Sequence, residues 1–146
     1  MVDTDDVALN VRLSSDFAAT FFAGASDYEW AKLQNTDIEA QQLISVDTAD
    51  AQIILSHATG TLGIGSAAGE GVIGLRLTVM NAYSATMPAM VQGQHWYIAA
   101  NAGQSSTTVR FSGQLVALSP VSGIRFLLES GNFTAGYFAL YGITGV

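Results

Sequence analysis

Hydrophobic and polar positions alternate along most of this chain. Val7-Ala-Leu-Asn-Val-Arg-Leu13 sets Val7, Leu9, Val11 and Leu13 on one side and Asn10 and Arg12 on the other. Successive side chains on a strand point to opposite faces, so this pattern predicts a half-buried strand. Tyr28-Glu-Trp-Ala-Lys-Leu-Gln34 repeats it, with Tyr28, Trp30 and Lys32 on one side. Val72 to Asn81 opposes Ile73, Leu75, Leu77 and Val79 to Gly74, Arg76 and Thr78. Val109 to Leu118 opposes Val109, Phe111, Gly113, Leu115 and Ala117 to Arg110, Ser112, Gln114 and Val116. Met87 to Tyr97 reads as a strand that Pro88 confines to its start or to a sheet edge, because proline brings no N–H to the ladder. Leu43 to Val46 and Ala51 to Ser56 predict two shorter strands.

The last segment, Val121 to Ile143, is apolar at nearly every position of Ile124 to Leu128 and of Tyr137 to Tyr141. Such runs suit strands covered on both faces, here joined by a Ser130-Gly131-Asn132 turn. The expectation is a central hairpin whose Tyr137, Phe138, Leu140 and Tyr141 anchor the core.

Between these runs the chain is punctuated. Phe17 to Ala25 is apolar but rich in alanine, and reads as a short strand or an irregular crossing. Asn35 to Gln42 is the one stretch with a hint of helix, yet it has no capping box followed by an apolar stripe, so it reads as a loop or a single turn. Gly60 to Gly71 is a long glycine- and alanine-rich loop or a bulged edge. Tyr83 to Thr86 and Ala99 to Thr107 are turn regions, and Pro120 ends the strand before it. About eight strands and no long helix predict an all-β fold, an antiparallel β-sandwich of jelly-roll type. It spans residues 1–146 as one domain, with residues 1–6 expected to be a mobile lead-in.

Composition changes this picture in one respect. Hydrophobic residues make up 49% of the 146 positions and charged residues only 12%. A small domain standing alone normally carries more surface charge. Two readings follow: part of the surface is buried against partners, or a Ser/Thr/Asn/Gln-rich surface keeps a monomer in solution. The net charge is −7, and the five basic residues (Arg12, Lys32, Arg76, Arg110, Arg125) are never adjacent in sequence. Nucleic-acid binding uses clustered cations to displace counterions, so no nucleic-acid partner is expected. No cysteine is present, which excludes disulfides and thiolate chemistry. No apolar run approaches the ~18 residues of a membrane-spanning helix, so no membrane insertion is expected.

The chemistry-bearing patterns are weak. Gly63-Ile-Gly65-Ser-Ala-Ala68 fits a loose dinucleotide-binding fingerprint, but that mechanism needs a helix N-terminus after it, and Gly69-Glu-Gly71 would break such a helix. Only His57 and His95 could serve a Ser/His/Asp arrangement, and no nucleophile elbow accompanies them. Their separation is a poor zinc spacing. Asp27/Glu29, Asp37/Glu39, Asp47/Asp50 and Asp3/Asp5/Asp6 are carboxylate groupings of the kind glycosidases and calcium sites use, but twelve acids in this chain bring such pairs by chance and no calcium loop signature is present. The expected catalytic, cofactor and metal sets are therefore empty, and ligand-binding residues are not assigned. Tyr28, Trp30, Trp96 and Tyr97 are the aromatics that could stack on sugar rings if exposed; core packing is the plainer role for them. Asn132-Phe-Thr134 matches the N-glycosylation acceptor pattern and carries no weight here.

The terminal residues carry a resemblance. Ile124-Arg-Phe-Leu127, Ser130-Gly-Asn-Phe-Thr-Ala-Gly136 and Phe138-Ala-Leu-Tyr-Gly-Ile143 resemble the ending of a family of bacteriophage virion structural domains, tail-fibre and tail-associated β-sandwiches. Val11 to Asp16, Gly24 to Ala31 and Gly69 to Gly74 extend the likeness in the same order. The resemblance implies a non-enzymatic virion component on the particle exterior, commonly oligomeric, with a homotrimer as the first expectation. Partners would be other copies and other virion proteins, with a bacterial surface glycan as candidate ligand. In that family one or two strands precede the counterpart of Val7–Leu13, whereas this chain starts there. An open sheet edge beside Val7–Leu13, completed by a neighbour, is the resulting expectation. The chain has no coiled-coil, collagen-like or β-helical shaft, which suits a compact tail-tip adhesin or capsid decoration protein. The alternative function is a carbohydrate-binding adhesin module using exposed Trp or Tyr. A glycan-hydrolase fragment is a third.

Overall fold

The structure, a computed structural model, describes residues 2–17, 19–37, 42–56, 62–71, 73–100 and 104–142. Among them are eight strands and no helix: β1 Leu9–Ser14, β2 Tyr28–Thr36, β3 Gln42–Asp50, β4 Ile53–Ile54, β5 Ile73–Met80, β6 Met90–Ile98, β7 Ser106–Leu115 and β8 Gly123–Leu128. They form two antiparallel sheets, a three-stranded sheet ordered β4-β1-β8 and a five-stranded sheet ordered β3-β2-β7-β6-β5. The sheets pack face to face as a β-sandwich. First strand pairs with last and second with seventh, while β5, β6 and β7 run as a meander.

The alternation in the sequence becomes the two faces of each sheet. On β2, Tyr28, Trp30, Lys32, Gln34 and Thr36 are all buried and the residues between them are not. On β7, Thr107, Val109, Phe111, Gly113 and Leu115 face the same interior. From the other sheet, Leu9, Val11, Leu13 and Ile53 close over them. Gly113 is glycine for a packing reason: a β-carbon there would come within 2.9 Å of the Ile53 side chain from the opposite sheet.

Hydrogen bonds also tie the layers. The Tyr28 hydroxyl accepts the Leu13 N–H at 2.7 Å. The Lys32 ammonium donates to the Ser56 carbonyl at 2.7 Å, and Ser56 Oγ accepts the Leu9 N–H at 2.7 Å. His95 Nε2 lies 2.9 Å from the Leu55 carbonyl, which can only accept, so Nε2 carries the proton. Hydrogen-bonded polar groups thus run through the core beside its apolar side chains.

Several expectations are corrected. β1 pairs with β4 on one side and with β8 on the other, so the strand beside Val7–Leu13 is not an open edge awaiting a neighbour. The segment after β4 supplies the missing cover: the Leu55 N–H bonds back to the Leu9 carbonyl at 2.8 Å. The lead-in expected to be mobile is stitched down. Val2 is buried and bridges Phe133, Asp3 accepts the Asn132 N–H, Asp5 accepts the Ser66 N–H, and Asp6 accepts the Gly63 N–H.

The second strand of the expected closing hairpin is absent. β8 forms, but Tyr137 to Tyr141 is not a strand and does not anchor the core: Tyr137, Leu140 and Tyr141 are each at least 85% exposed. Phe138 does touch the body, stacked on Phe126 at 5.2 Å. Phe17 to Ala25 contains no strand among its described residues. β3 is longer than Leu43–Val46 suggested, and β4 is shorter than Ala51–Ser56. The predicted turn at Asn35–Gln42 has its centre outside the described residues, and both its ends belong to strands.

Candidate binding face of the five-stranded sheet

The interior face of the five-stranded sheet is committed to the core, so its outer face is what it offers to solvent. Strand register sets that face out in rows. One row reads Gly74, Trp96, Thr108 and Asn35 across β5, β6, β7 and β2. The next reads Arg76, Gln94, Arg110, Leu33 and Ile44, ending on β3. A third reads Thr78, Gln92, Ser112, Ala31 and Val46.

Trp96 is the large aromatic on this face and is 47% exposed. Its ring extends over Gly74, where a β-carbon would run into the indole. Strand interiors disfavour glycine, and close approach of another group is a standard reason to find one there. The neighbouring Arg76, Gln94, Arg110 and Asn35 are exposed, and none of their side chains makes a hydrogen bond or ion pair among the described residues. An aromatic surface beside planar amide and guanidinium groups is the equipment a sugar needs: its C–H face meets the electron-rich ring and its hydroxyls meet fixed donors and acceptors.

The four aromatics proposed for stacking are therefore separated. Tyr28 is wholly buried, with its hydroxyl spent on Leu13 and Phe22. Tyr97 is buried and donates to the Leu62 carbonyl at 2.6 Å. Trp30 is 9% exposed, and its Nε1 donates to Asp50 at 3.0 Å. Trp96 alone of the four presents a surface.

His95 is fully buried, stacked on Tyr97 at 5.0 Å, and desolvation pushes its pKa down to about 4. Its Nδ1 has no hydrogen-bond partner. His57 and Glu39 lie outside the described residues. Asp27 accepts the Gly24 N–H, Glu29 accepts from Gln114, Asp37 accepts the Ser106 N–H, and Asp47 accepts the Ala49 N–H. These carboxylates hold turns and strand ends together. Among the described residues no three of His, Cys, Asp and Glu are grouped to hold a metal ion. No helix follows Gly63–Ala68, where Glu70 instead turns back to accept the Ala67 N–H.

Lys32 was singled out by sequence only for the side of the strand it occupies, and Gln34 not at all. Lys32 is buried, and desolvation pushes its pKa down to about 8. Both amide atoms of the buried Gln34 lack partners. Arg76, Gln94 and Arg110 were likewise missed as a group, since they converge only once three strands are in register. Gly74, inside the start of β5, was the available hint.

No protein-family model, curated protein or solved structure matches this chain.

Proposed function

We propose that this protein is a non-enzymatic structural component of a bacteriophage particle, displayed on the virion exterior as a tail-fibre, tail-associated or capsid-decoration protein, and that it attaches to bacterial surface glycan through the Trp96 face. The observation that carries the attachment is the half-exposed indole of Trp96 seated over Gly74, beside side chains that make no hydrogen bond or ion pair among the described residues. The virion assignment is supported by the likeness of Ile124 to Leu127 and Ser130 to Ile143 to phage structural domains.

Assembly belongs to the same reading. Ile44 and Val46 on β3, and Tyr137, Leu140 and Tyr141 after β8, are large apolar side chains left in water. Patches of that kind mark association surfaces, and the low charge of the chain agrees. A homo-oligomer, with a trimer as first choice, would bury them.

Binding of wild type and Trp96→Ala to polysaccharide from candidate host bacteria tests the attachment. Loss of about 2 kcal/mol or more is expected, the size of an interface anchor, with the circular dichroism spectrum unchanged. Trp30→Ala is the control, and should cost about 3–5 kcal/mol of stability instead. Undiminished binding by Trp96→Ala would refute the assignment of this face. Antibody labelling of intact particles decides the location.

A further inference from the structure

The five basic side chains are not equally free. Lys32 is buried on the Ser56 carbonyl. Arg12 donates to Gln52 at 3.2 Å. Arg125 sits over the Phe21 ring at 5.6 Å. Arg76 and Arg110 make no side-chain hydrogen bond, ion pair or ring contact among the described residues, and both are exposed. These two unspent cations lie in one row of one face, on either side of Gln94. Two strand spacings put their backbones about 10 Å apart. Both rows that hold Trp96 and the arginines are free of Asp and Glu, and so is the third row beyond them.

That arrangement runs against the composition. The chain has twelve acids and five bases, yet this face carries two bases and no acid across its three central rows. Unpaired guanidinium groups match carboxylate and phosphate geometry, each able to give two parallel N–H donors. We propose that the Trp96 face takes an anionic glycan, with Arg76 and Arg110 binding carboxylate or phosphate groups carried on its sugars while Trp96 stacks on a ring between them and the sheet end. This rests on the glycan-binding reading above and names its ligand class. The two arginines flank a span suited to charges on neighbouring sugars of one strand, so a regularly charged polysaccharide fits better than a single anion. A nucleic-acid strand also carries phosphates and stacking bases, but with a charge on every nucleotide it needs a cluster of cations, and this face offers only Arg76 and Arg110.

The test uses an array of uronate-bearing, phosphate-bearing and neutral glycans, with oligothymidylate alongside, read for wild type, Arg76→Gln, Arg110→Gln, the double variant and Trp96→Ala. The proposal expects binding confined to anionic glycans, weakened by added salt, lowered at least tenfold in the double variant and abolished in Trp96→Ala. The uronate and phosphate arms tell the two anion sources apart, and either supports the proposal. Neutral glycans bound as well as anionic ones, with Trp96→Ala deleterious and the arginine variants silent, would overturn the anionic class and leave glycan binding standing. Tighter binding of oligothymidylate than of any glycan would overturn it in favour of a nucleic-acid strand. No binding across the array would overturn both this inference and the reading beneath it.

Discussion

Trp96 occupies the space that any side chain on Gly74 would need. The two residues face each other directly across β5 and β6, and a β-carbon built on Gly74 falls against the five- and six-membered rings of the indole. The platform is therefore a two-residue device, with the glycine letting the tryptophan cross to the next strand. Gly74→Val should lift the ring off the sheet. Valine suits a strand better than glycine, so the backbone should lose nothing. Glycan affinity should fall at least tenfold while the thermal midpoint holds or rises, measured by calorimetric titration and a melt. Retained affinity would show that the ring position over Gly74 is irrelevant to binding.

His95 makes the fold acid-sensitive. Its imidazole is desolvated, which pushes the pKa from 6.5 down to about 4. Between those values the unfolded chain binds a proton that the folded chain refuses, so stability falls as pH drops from 6.5 toward 4. At 1.36 kcal/mol per unit the loss is about 3 kcal/mol at most. His95→Gln keeps an N–H donor for the Leu55 carbonyl and removes the titration. Urea denaturation at pH 7, 5.5 and 4.5 should show the decline in wild type and a much flatter profile in the variant. Equal slopes would mean that the imidazole is not buried as described.

Lys32 works in the opposite range. Burial holds its ammonium down to about 8 against 10.5, so between those values the unfolded state carries more protons and stability rises with pH. The charge thus costs stability at neutral pH, even with the Ser56 carbonyl as acceptor. A buried charge exchanged for an apolar chain of similar length is often neutral or stabilising. Lys32→Met should therefore be as stable as wild type or more so at pH 7, and should lack the rise between pH 8 and 9.5. The cost to offset is the orphaned Ser56 carbonyl, about 1–3 kcal/mol. A variant that unfolds at pH 7 would show that this hydrogen bond outweighs the desolvation of the charge.

Alternation made the sandwich legible. Val109 to Leu115 and Tyr28 to Gln34 each encode one buried and one wet face, and the structure keeps both registers. Runs without alternation misled. Tyr137 to Tyr141 encodes a need for burial without saying which surface supplies it, and among the described residues Tyr137, Leu140 and Tyr141 stay exposed. Polar residues misled in the other direction: Asp3, Asp5 and Asp6 look like a solvated lead-in until their acceptors are seen to cap Asn132, Ser66 and Gly63, positions up to 129 residues away. The binding face was half legible. Trp96 was visible as an aromatic on a strand, but its exposure, and its meeting with Arg76 and Arg110, depend on a three-strand register that no local pattern carries.

The segment after β8 gives the last prediction. Tyr137, Leu140 and Tyr141 contribute little to the single chain because they remain in water, and Phe138 contributes its contact with Phe126 and its edge-on approach to Phe133 at 6.2 Å. A chain ending at Gly136 should therefore keep its fold and lose about 1–3 kcal/mol, the value of two aromatic pairings. The same apolar residues are the ones the proposed oligomer would bury, at about 25 cal/mol per Å² removed from water. Truncation should then convert an associating protein into a monomer while glycan binding per chain persists, because Trp96 lies on the other sheet. Sedimentation velocity at several concentrations distinguishes the outcomes. A truncated chain that still assembles would shift the interface to Ile44 and Val46 on β3. An untruncated 146-residue chain that sediments as a monomer at every concentration would remove the oligomer altogether.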